Sequence, residues 1–405
     1  MSEPTNRPND VRLRIPRRSD NDHSADAAAE RRAFLKERSG VDLTHVGQAS
    51  IDPALTAGNI ENYIGVAQVP IGVAGPLRIR GEHIQDEDVY VPLATTEGTL
   101  VASYSRGMRV LSEAGGVKTT IHERFMQRAP VFHFEDARGA RDFKLWLDAH
   151  MAEIRNAAEA SSSVVKLSHI ETYAIGPMLH CRFNFETGDA AGQNMSGKAA
   201  QAACLWIADH YPGGARFTLS GAMDTDKKHS QLNMLHSRGA RVVAEARIPD
   251  TLLRARLGTS AEALFRARLN SFAGSVLAGS ANNGMHAANA LAALFIACGQ
   301  DAANVAESHA AQTYVRLETD AETGDSVYYW SITLPALIVA TFGGGTGLPT
   351  QSECLALLGC QGAGKVERFI EICAATVLAG EISLGGAVVA GDWVESHEKL
   401  GRNRG

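Results

Sequence analysis

This chain predicts an α+β fold on three features. Between residues 130 and 218, strand-like and helix-like segments alternate, as in a small α+β unit set into a larger one. Residues 269–300 contain no Asp, Glu, Lys or Arg, which suits a tightly packed interior helix. With 405 residues and 45% hydrophobic content, the chain can bury a sizeable core and divide into two or three domains.

Taken in order, residues 1–24 are polar and charged with no apolar stretch, so they read as a disordered tail and not as a secretory signal. Residues 25–38 (ADAAAERRAFLKER) read as a surface helix stopped by Ser39-Gly40, within an N-terminal helical region over 25–50. Gly, Pro and β-branched residues in NIENYIGVAQVPIGVAGPL, residues 59–77, predict irregular chain with short strands. A helix is expected from Thr95-Thr96, where a threonine can cap and Glu97 sits in the first turn, to Gly115-Gly116.

The alternating unit then reads VFHFE as strand, RDFKLWLDAHMAEIRNAAEA as helix, VVKLSHI and MLHCRFNFE as a strand pair, and SGKAAQAACLWIADHY as helix. Beyond it come the strand ARVVAEARI, helices over 251–300, strands near AQTYVRLE, YYWSITL and ALIVATF, and helices to the end. The implied limits are 51–129 with 219–390 for the large domain, 130–218 for the inserted small domain, and 391–405 for a mobile terminal lid.

A net charge of −6 with 21% charged residues leaves no electrostatic footprint for nucleic acid or an anionic membrane. The uncharged 269–300 run is interrupted by Asn282, Asn283, His286 and Asn289, so it does not read as a membrane span. The six cysteines are dispersed, without CxxC pairs or zinc-ligand spacing. They read as free buried thiols of a cytoplasmic protein, and no metal site is expected.

Seven blocks carry the chemistry: ENYIGVAQVPIGVAGPL, PLATTEGTLVASYSRGMR, GDAAGQNM, LSGAMDTDKK, HAANALAALFIACGQDAANV, TFGGGTGLPTQ and SHEKLGR. Taken alone, Glu97 is a capping-region carboxylate, Lys227 part of a solvated charge run, Asp301 a helix-ending surface residue and His397 an exposed histidine. Together, and in this order over roughly residues 50–402, the blocks resemble the 3-hydroxy-3-methylglutaryl-CoA (HMG-CoA) reductase family in its soluble prokaryotic, archaeal-type form. Two carboxyls, an ammonium and an imidazole are the groups needed to reduce a thioester and protonate the departing thiolate.

The resemblance implies that Glu97 gives a proton to the carbonyl oxygen of the aldehyde intermediate and that Lys227 holds the thioester oxygen. It implies that Asp301 is a buried carboxylate linking the two, and that His397, on a terminal helix folding over the substrate, protonates the coenzyme A thiolate. Arg128, Ser220, Asp226, Lys228, Asn289, Ser103 and Arg106 become substrate contacts. Asp189, Ala191, Gly192, Gln193 and Asn194, with Gly343, Gly344, Gly345 and Thr346, become contacts to NADPH or NADH. The small domain is then expected to be a ferredoxin-like dinucleotide-binding domain, inserted in a domain built around the 272–300 helix. A homodimer with shared sites is also implied, the DKK loop reaching the neighbouring protomer's glutamate and aspartate.

Some positions depart from the family pattern. Ser163 stands where animal and plant members carry an arginine for the 2′-phosphate of NADPH, with Arg182 as a possible substitute. Leu269 stands where they carry a lysine for the substrate carboxylate, with Arg266 and Arg268 nearby, and Gln193 replaces a methionine. DKK is followed by His229-Ser230-Gln231. The alternatives to HMG-CoA reduction are a related branched acyl-CoA, the oxidative CoA-acylating direction, or a non-catalytic acyl-CoA-binding homologue.

Overall fold

A computed structural model describes residues 14–280 and 282–391. The chain opens with α1 (Ala25–Ser39) and the short α2 (Thr44–Gly47). Strand β1 (Ile71–Arg80), strand β2 (Glu87–Ala94) and helix α3 (Leu100–Glu113) follow, then the long β3 (Val117–Arg128). The next segment holds β4 (Val131–His133), α4 (Ala137–Ala149), α5 (Met151–Glu159), β5 (Lys166–Ile175), β6 (Met178–Glu186), α6 (Gln193–His210) and β7 (Arg216–Thr218). After it come α7 (Gln231–Leu235), β8 (Gly239–Pro249), α8 (Asp250–Leu257), α9 (Ala261–Leu277), α10 (Ala287–Ala297) and α11 (Val305–Ser308). Strands β9 (Gln312–Thr319) and β10 (Ser326–Leu337) precede α12 (Pro349–Leu357) and α13 (Val366–Ala390).

Two buried clusters organise these elements. The larger collects apolar residues of β1, β2, α3, β8, α10, β10 and α13. The smaller lies between α4, α5 and α6 and the strands β4, β5 and β6, around Phe132, Phe143, Ile154, Phe183, Phe185 and Ile207. Strand β3 links the sheets of the two units. Its first part pairs antiparallel with β8, and after a register shift between Ile121 and Glu123 its last residues pair with β6. Beyond it the large sheet continues β8-β10-β9, while the small unit orders its strands β7-β4-β6-β5.

Helix α13 is the centre of the larger cluster. It is long and apolar enough to cross a membrane by composition, but 83% of its most apolar window is buried inside the protein, as in a core helix. It crosses α3 at glycines: a Cβ on Gly107 would lie 1.8 Å from the Ala379 carbonyl oxygen, and one on Gly380 2.4 Å from the Tyr104 ring. Two buried glutamates on α13 accept from distant loop amides. Glu371 takes the N–H groups of Glu82 and His83, and Glu381 those of Met285 and His286. Burial raises both carboxyls, that of Glu381 to about 6.

Several expectations change. The uncharged run is not one interior helix: α9 ends at Leu277 and α10 starts at Ala287, with Gly279 left-handed at φ 67° between them. Freedom from charge marks a dry environment but does not make a helix continuous, and the polar residues of this run need partners that a helix would deny them. Helix α3 begins at Leu100, after Thr99 at φ 74°, so Glu97 precedes it and is not in its first turn. YYWSITL lies within β10 as expected, but β10 ends at Leu337, so residues 338–342 of the strand expected at ALIVATF are irregular chain. Residues 14–24 of the expected disordered tail pack against α1. The buried Arg31 guanidinium donates to the carbonyls of Pro16, Asp22 and Tyr63, and pairs with the Asp22 carboxylate. The cysteines are free and buried, as expected.

Candidate active site

Lys227 lies in a tight loop between β7 and α7, and its ammonium meets Asp301 at 2.7 Å within the same chain, where the aspartate of a neighbouring protomer was expected. Both side chains are about two-fifths exposed, at 41% and 42%, so Asp301 is not the buried carboxylate expected. It follows the end of α10 and caps a 3-10 turn through Ala303 N–H. The hydrogen bond to Asp301 is the main cause that raises the Lys227 ammonium above its ordinary value. The loop is unusual in its backbone: Ala222, Thr225 and Lys227 have φ of 66°, 54° and 55°. Each left-handed non-glycine residue costs about 1–2 kcal/mol.

Asp301 also lines a cleft of about 660 Å³ whose wall is formed by Ala191, Gly192, Gln193 and Asn194 on one side and Gly343, Gly344, Gly345 and Thr346 on the other. The two glycine-bearing stretches, far apart in sequence, are thus brought together. Helix α6 starts here with no side-chain cap, presenting its first amides to the cleft as an anion would need. Gly192 is required by its φ of 83° and by Thr187, whose Cγ2 would lie 2.2 Å from a Cβ. Gly343 and Gly344 are also left-handed, with open space where a Cβ would stand. These features fit a bound dinucleotide.

Two residues weighed as cofactor contacts, Asp189 and Arg182, read differently. Asp189 accepts hydrogen bonds from the backbone of Gly364, Lys365 and Val366 and from Thr341, so it caps α13. Burial raises its carboxyl, but the backbone donors outweigh this and hold it below the ordinary range. Arg182 is fully buried and bonded to Glu171 and to the carbonyls of His236 and Ser237, so it cannot serve a 2′-phosphate. Ser163 is exposed beside the turn, one residue before Val164, whose Cγ1 lies 3.0 Å from the Cβ position of Gly188.

Glu97 is exposed, and among the described residues its carboxylate accepts a hydrogen bond from Asn289 at 3.4 Å. Arg128 donates to Asp224 at 3.1 Å and to the Gln193 carbonyl at 3.4 Å, and Ser220 donates to the same Asp224 carboxylate. Lys228 is exposed and donates to the Asp226 carbonyl. On α3, Ser103 and Arg106 both meet Ser383 of α13. Arg106 then opens onto a surface groove with Arg109 and Arg256, whose guanidinium groups share one carboxylate, Glu113. His397 lies outside the described residues.

The fastening of the Lys227 loop was not anticipated. Glu307, buried on α11, accepts the Lys227 N–H at 3.1 Å and Arg238 Nε at 2.9 Å. Arg238, also buried, donates to Asp226 at 2.6 Å, and the Gln193 amide bridges Asp226 to Asn304. Burial pushes the Glu307 carboxyl up to about 7 against the pull of Arg238. One signal was available: Glu307 is the only Asp, Glu, Lys or Arg between Asp301 and Arg316. Among the described residues, no group of three or more His, Cys, Asp or Glu side chains could hold a metal ion.

Known proteins resemble this chain in sequence and in fold. The sequence matches the family described as hydroxymethylglutaryl-coenzyme A reductase over residues 27–402. The 3-hydroxy-3-methylglutaryl-coenzyme A reductase of Pyrococcus abyssi is 41% identical over 382 residues, 92% of each chain. That of Haloferax volcanii is 38% identical over 387 residues, covering 93% of this chain and 94% of the relative. In fold, the chain resembles the class II 3-hydroxy-3-methylglutaryl-CoA reductase of Streptococcus pneumoniae bound to NADPH, with a TM-score of 0.65 at 21% identity over 89% of this chain and 97% of that one. With the lysine–aspartate pair and the two glycine-bearing stretches of the cleft assembled from its motifs, and the match running nearly end to end, the chain belongs to the hydroxymethylglutaryl-coenzyme A reductase family.

Proposed function

We propose that the chain reduces the thioester of HMG-CoA to mevalonate, with release of coenzyme A, in two hydride transfers. The observation that carries this reading is the Lys227–Asp301 pair at a cleft lined by the 191–194 and 343–346 stretches. It sets a cation for a developing oxyanion next to a place for a dinucleotide. NADPH is the preferred donor and NADH a possible one, and the bound dinucleotide supplies the hydride.

The Lys227 ammonium has three donors, and Asp301 takes one. The others can hold the thioester oxygen and then the aldehyde oxygen, where a preorganised cation stabilises the charge that forms. Asp301 keeps the ammonium charged and aimed. Glu97, held by Asn289, supplies the proton to the aldehyde oxygen, and His397 protonates the departing thiolate. Lys228 serves the acyl carboxylate, since Arg266 pairs with Glu262 and Arg268 turns inward to the Asn283 carbonyl. The groove lined by Arg106, Arg109 and Arg256 suits the coenzyme A phosphates, since guanidinium groups bind phosphate well.

The small unit, residues 130–218, is the dinucleotide-binding domain; its order β7-β4-β6-β5 supports a ferredoxin-like βαββαβ plan. Residues 51–129 and 219–390 are the acyl-CoA domain in this reading; the lid expected over 391–405 lies, beyond Gly391, outside the described residues. We further propose a homodimer in which Glu97 of one protomer completes the Lys227–Asp301 pair of the other. The exposed face of α9, with Leu269, Phe272, Val276 and Leu277, supports self-association.

The test is to incubate the purified chain with HMG-CoA and NADPH or NADH, following loss of the reduced nicotinamide and formation of mevalonate. Turnover that Lys227→Ala abolishes is expected. A folded chain that turns over HMG-CoA with neither dinucleotide would overturn the reading.

A further inference from the structure

The loop that carries Lys227 is held in its left-handed conformation by groups outside the cleft. Non-glycine residues avoid this region because Cβ crowds the following carbonyl, so three such residues in one loop persist only if the surroundings over-determine them. Three side chains do so around Thr225 and Lys227. Glu307 accepts the Lys227 N–H through Oε1, and through Oε2 it accepts from Arg238 Nε at 2.9 Å and Asn233 Nδ2 at 3.4 Å. On one side of Lys227, Arg238 reaches Asp226 and Asn233 accepts the Thr225 hydroxyl; on the other, Asn233 donates to the Lys228 carbonyl. The clamp therefore grips residues 225–228 at each position.

We propose that Glu307 is a positioning residue for the reaction: together with Arg238 and Asn233 it fixes the Lys227 backbone so that the ammonium faces Asp301. The inference rests on the role given to Lys227 above. One short segment sets both ends of that residue, because Asp301 binds its ammonium and Glu307, six positions later, binds its amide. An apolar pair in place of Arg238 and Glu307 could be equally stable, since buried ion pairs contribute little net stability. It could not accept an N–H. Retaining a fully buried carboxylate at this point is explained by what it orients.

Two variants of the full chain test this. Glu307→Gln keeps the shape but has one acceptor oxygen, so it can keep the Lys227 N–H or the Arg238 and Asn233 donors on the other oxygen, not both sets. Arg238→Met with Glu307→Leu removes the acceptor of the Lys227 N–H and two of the clamp's three side chains without stranding a buried charge. Displacement of a catalytic group by about 1 Å costs up to about 100-fold in rate. The paired variant is expected to lose kcat by about that factor, with KM for HMG-CoA within about threefold and the melting temperature close to the parent's. Hydrogen exchange at the Lys227 amide should become about tenfold faster, the consequence of losing one hydrogen bond. Glu307→Gln should fall between parent and pair. Rates within about threefold of the parent for both variants, a KM that rises as much as kcat falls, or unchanged exchange at Lys227 would each overturn the proposal. The exchange measurement needs no substrate, so it stands even if HMG-CoA is not turned over, an outcome that would count against the proposed reaction alone.

Discussion

Replacing Gly192 by alanine probes the cleft where its backbone has least room. Gly192 has φ 83°, and a Cβ there would lie 2.2 Å from Cγ2, 2.5 Å from Cβ and 2.6 Å from Oγ1 of Thr187. The left-handed conformation costs an alanine about 1–2 kcal/mol. Forcing a methyl into occupied space adds about 1–3 kcal/mol. Thr187 is buried, with its hydroxyl donating to the Ala190 carbonyl at 2.9 Å, so it has no free direction in which to move. The sum of about 2–5 kcal/mol is below the stability of most domains, and the turn can relieve it locally. A dinucleotide must then restore the turn as it binds. At about 1.4 kcal/mol per factor of ten, affinity should fall by about 30-fold or more. Fluorescence titration with NADPH and NADH measures this, and coenzyme A binding should not change. Adding Thr187→Gly removes the clash and leaves the conformational cost alone, so about 5–30-fold of weakening should persist. Parental dinucleotide affinity in Gly192→Ala would refute the assignment of the turn.

Four further outcomes are expected. Asp301→Asn removes the main group that raises the Lys227 ammonium, so the alkaline limb of kcat should move to lower pH. The pair stabilises fully below the unfolded lysine value and loses this as pH rises through the raised folded value; being half-exposed, it is worth at most about 1 kcal/mol, so melting at neutral pH should hardly change. Asp189→Ala should cost about 1–2 kcal/mol in urea unfolding as α13 loses its cap, a deficit present at neutral pH and shrinking as pH falls through the lowered carboxyl value. Gly107→Ala should lower the melting temperature sharply, with about 3 kcal/mol or more lost as α3 and α13 are forced apart; a parental melting temperature would mean the helices do not cross there. Mixing Lys227→Ala with Glu97→Gln should regain activity through hybrid sites, and no recovery after proven subunit exchange would exclude a site shared in this way.

Strands such as β8 and β10 are legible because their apolar, β-branched runs leave few other options, and α6 because alanine and other helix-favouring residues dominate its middle. The break between α9 and α10 is not legible, because the groups that hold it lie far along the chain: Glu381 binds the Met285 and His286 amides from almost a hundred residues away. Within the site, Lys227 and Asp301 announce themselves through their surrounding motifs. Glu307 and Arg238 do not, since an isolated glutamate or arginine gains its meaning only from a partner some seventy residues distant. Asp189 shows the same limit. Its motif suggested a ligand contact, yet its partners are the amides of α13, over 170 residues later.

The central position of α13 also dictates an order of events during synthesis. Residues of the large sheet and α3 leave the ribosome before the helix that completes their core. From β1 to α13 the ribosome adds roughly 300 residues, taking about 15–60 s at about 5–20 residues per second. The small unit, closed around its own aromatic core, can fold during that interval. The large unit must wait with its apolar faces uncovered. Nascent chains halted before residue 366 should therefore carry a protease-resistant fragment spanning the small unit and bind chaperones through the rest.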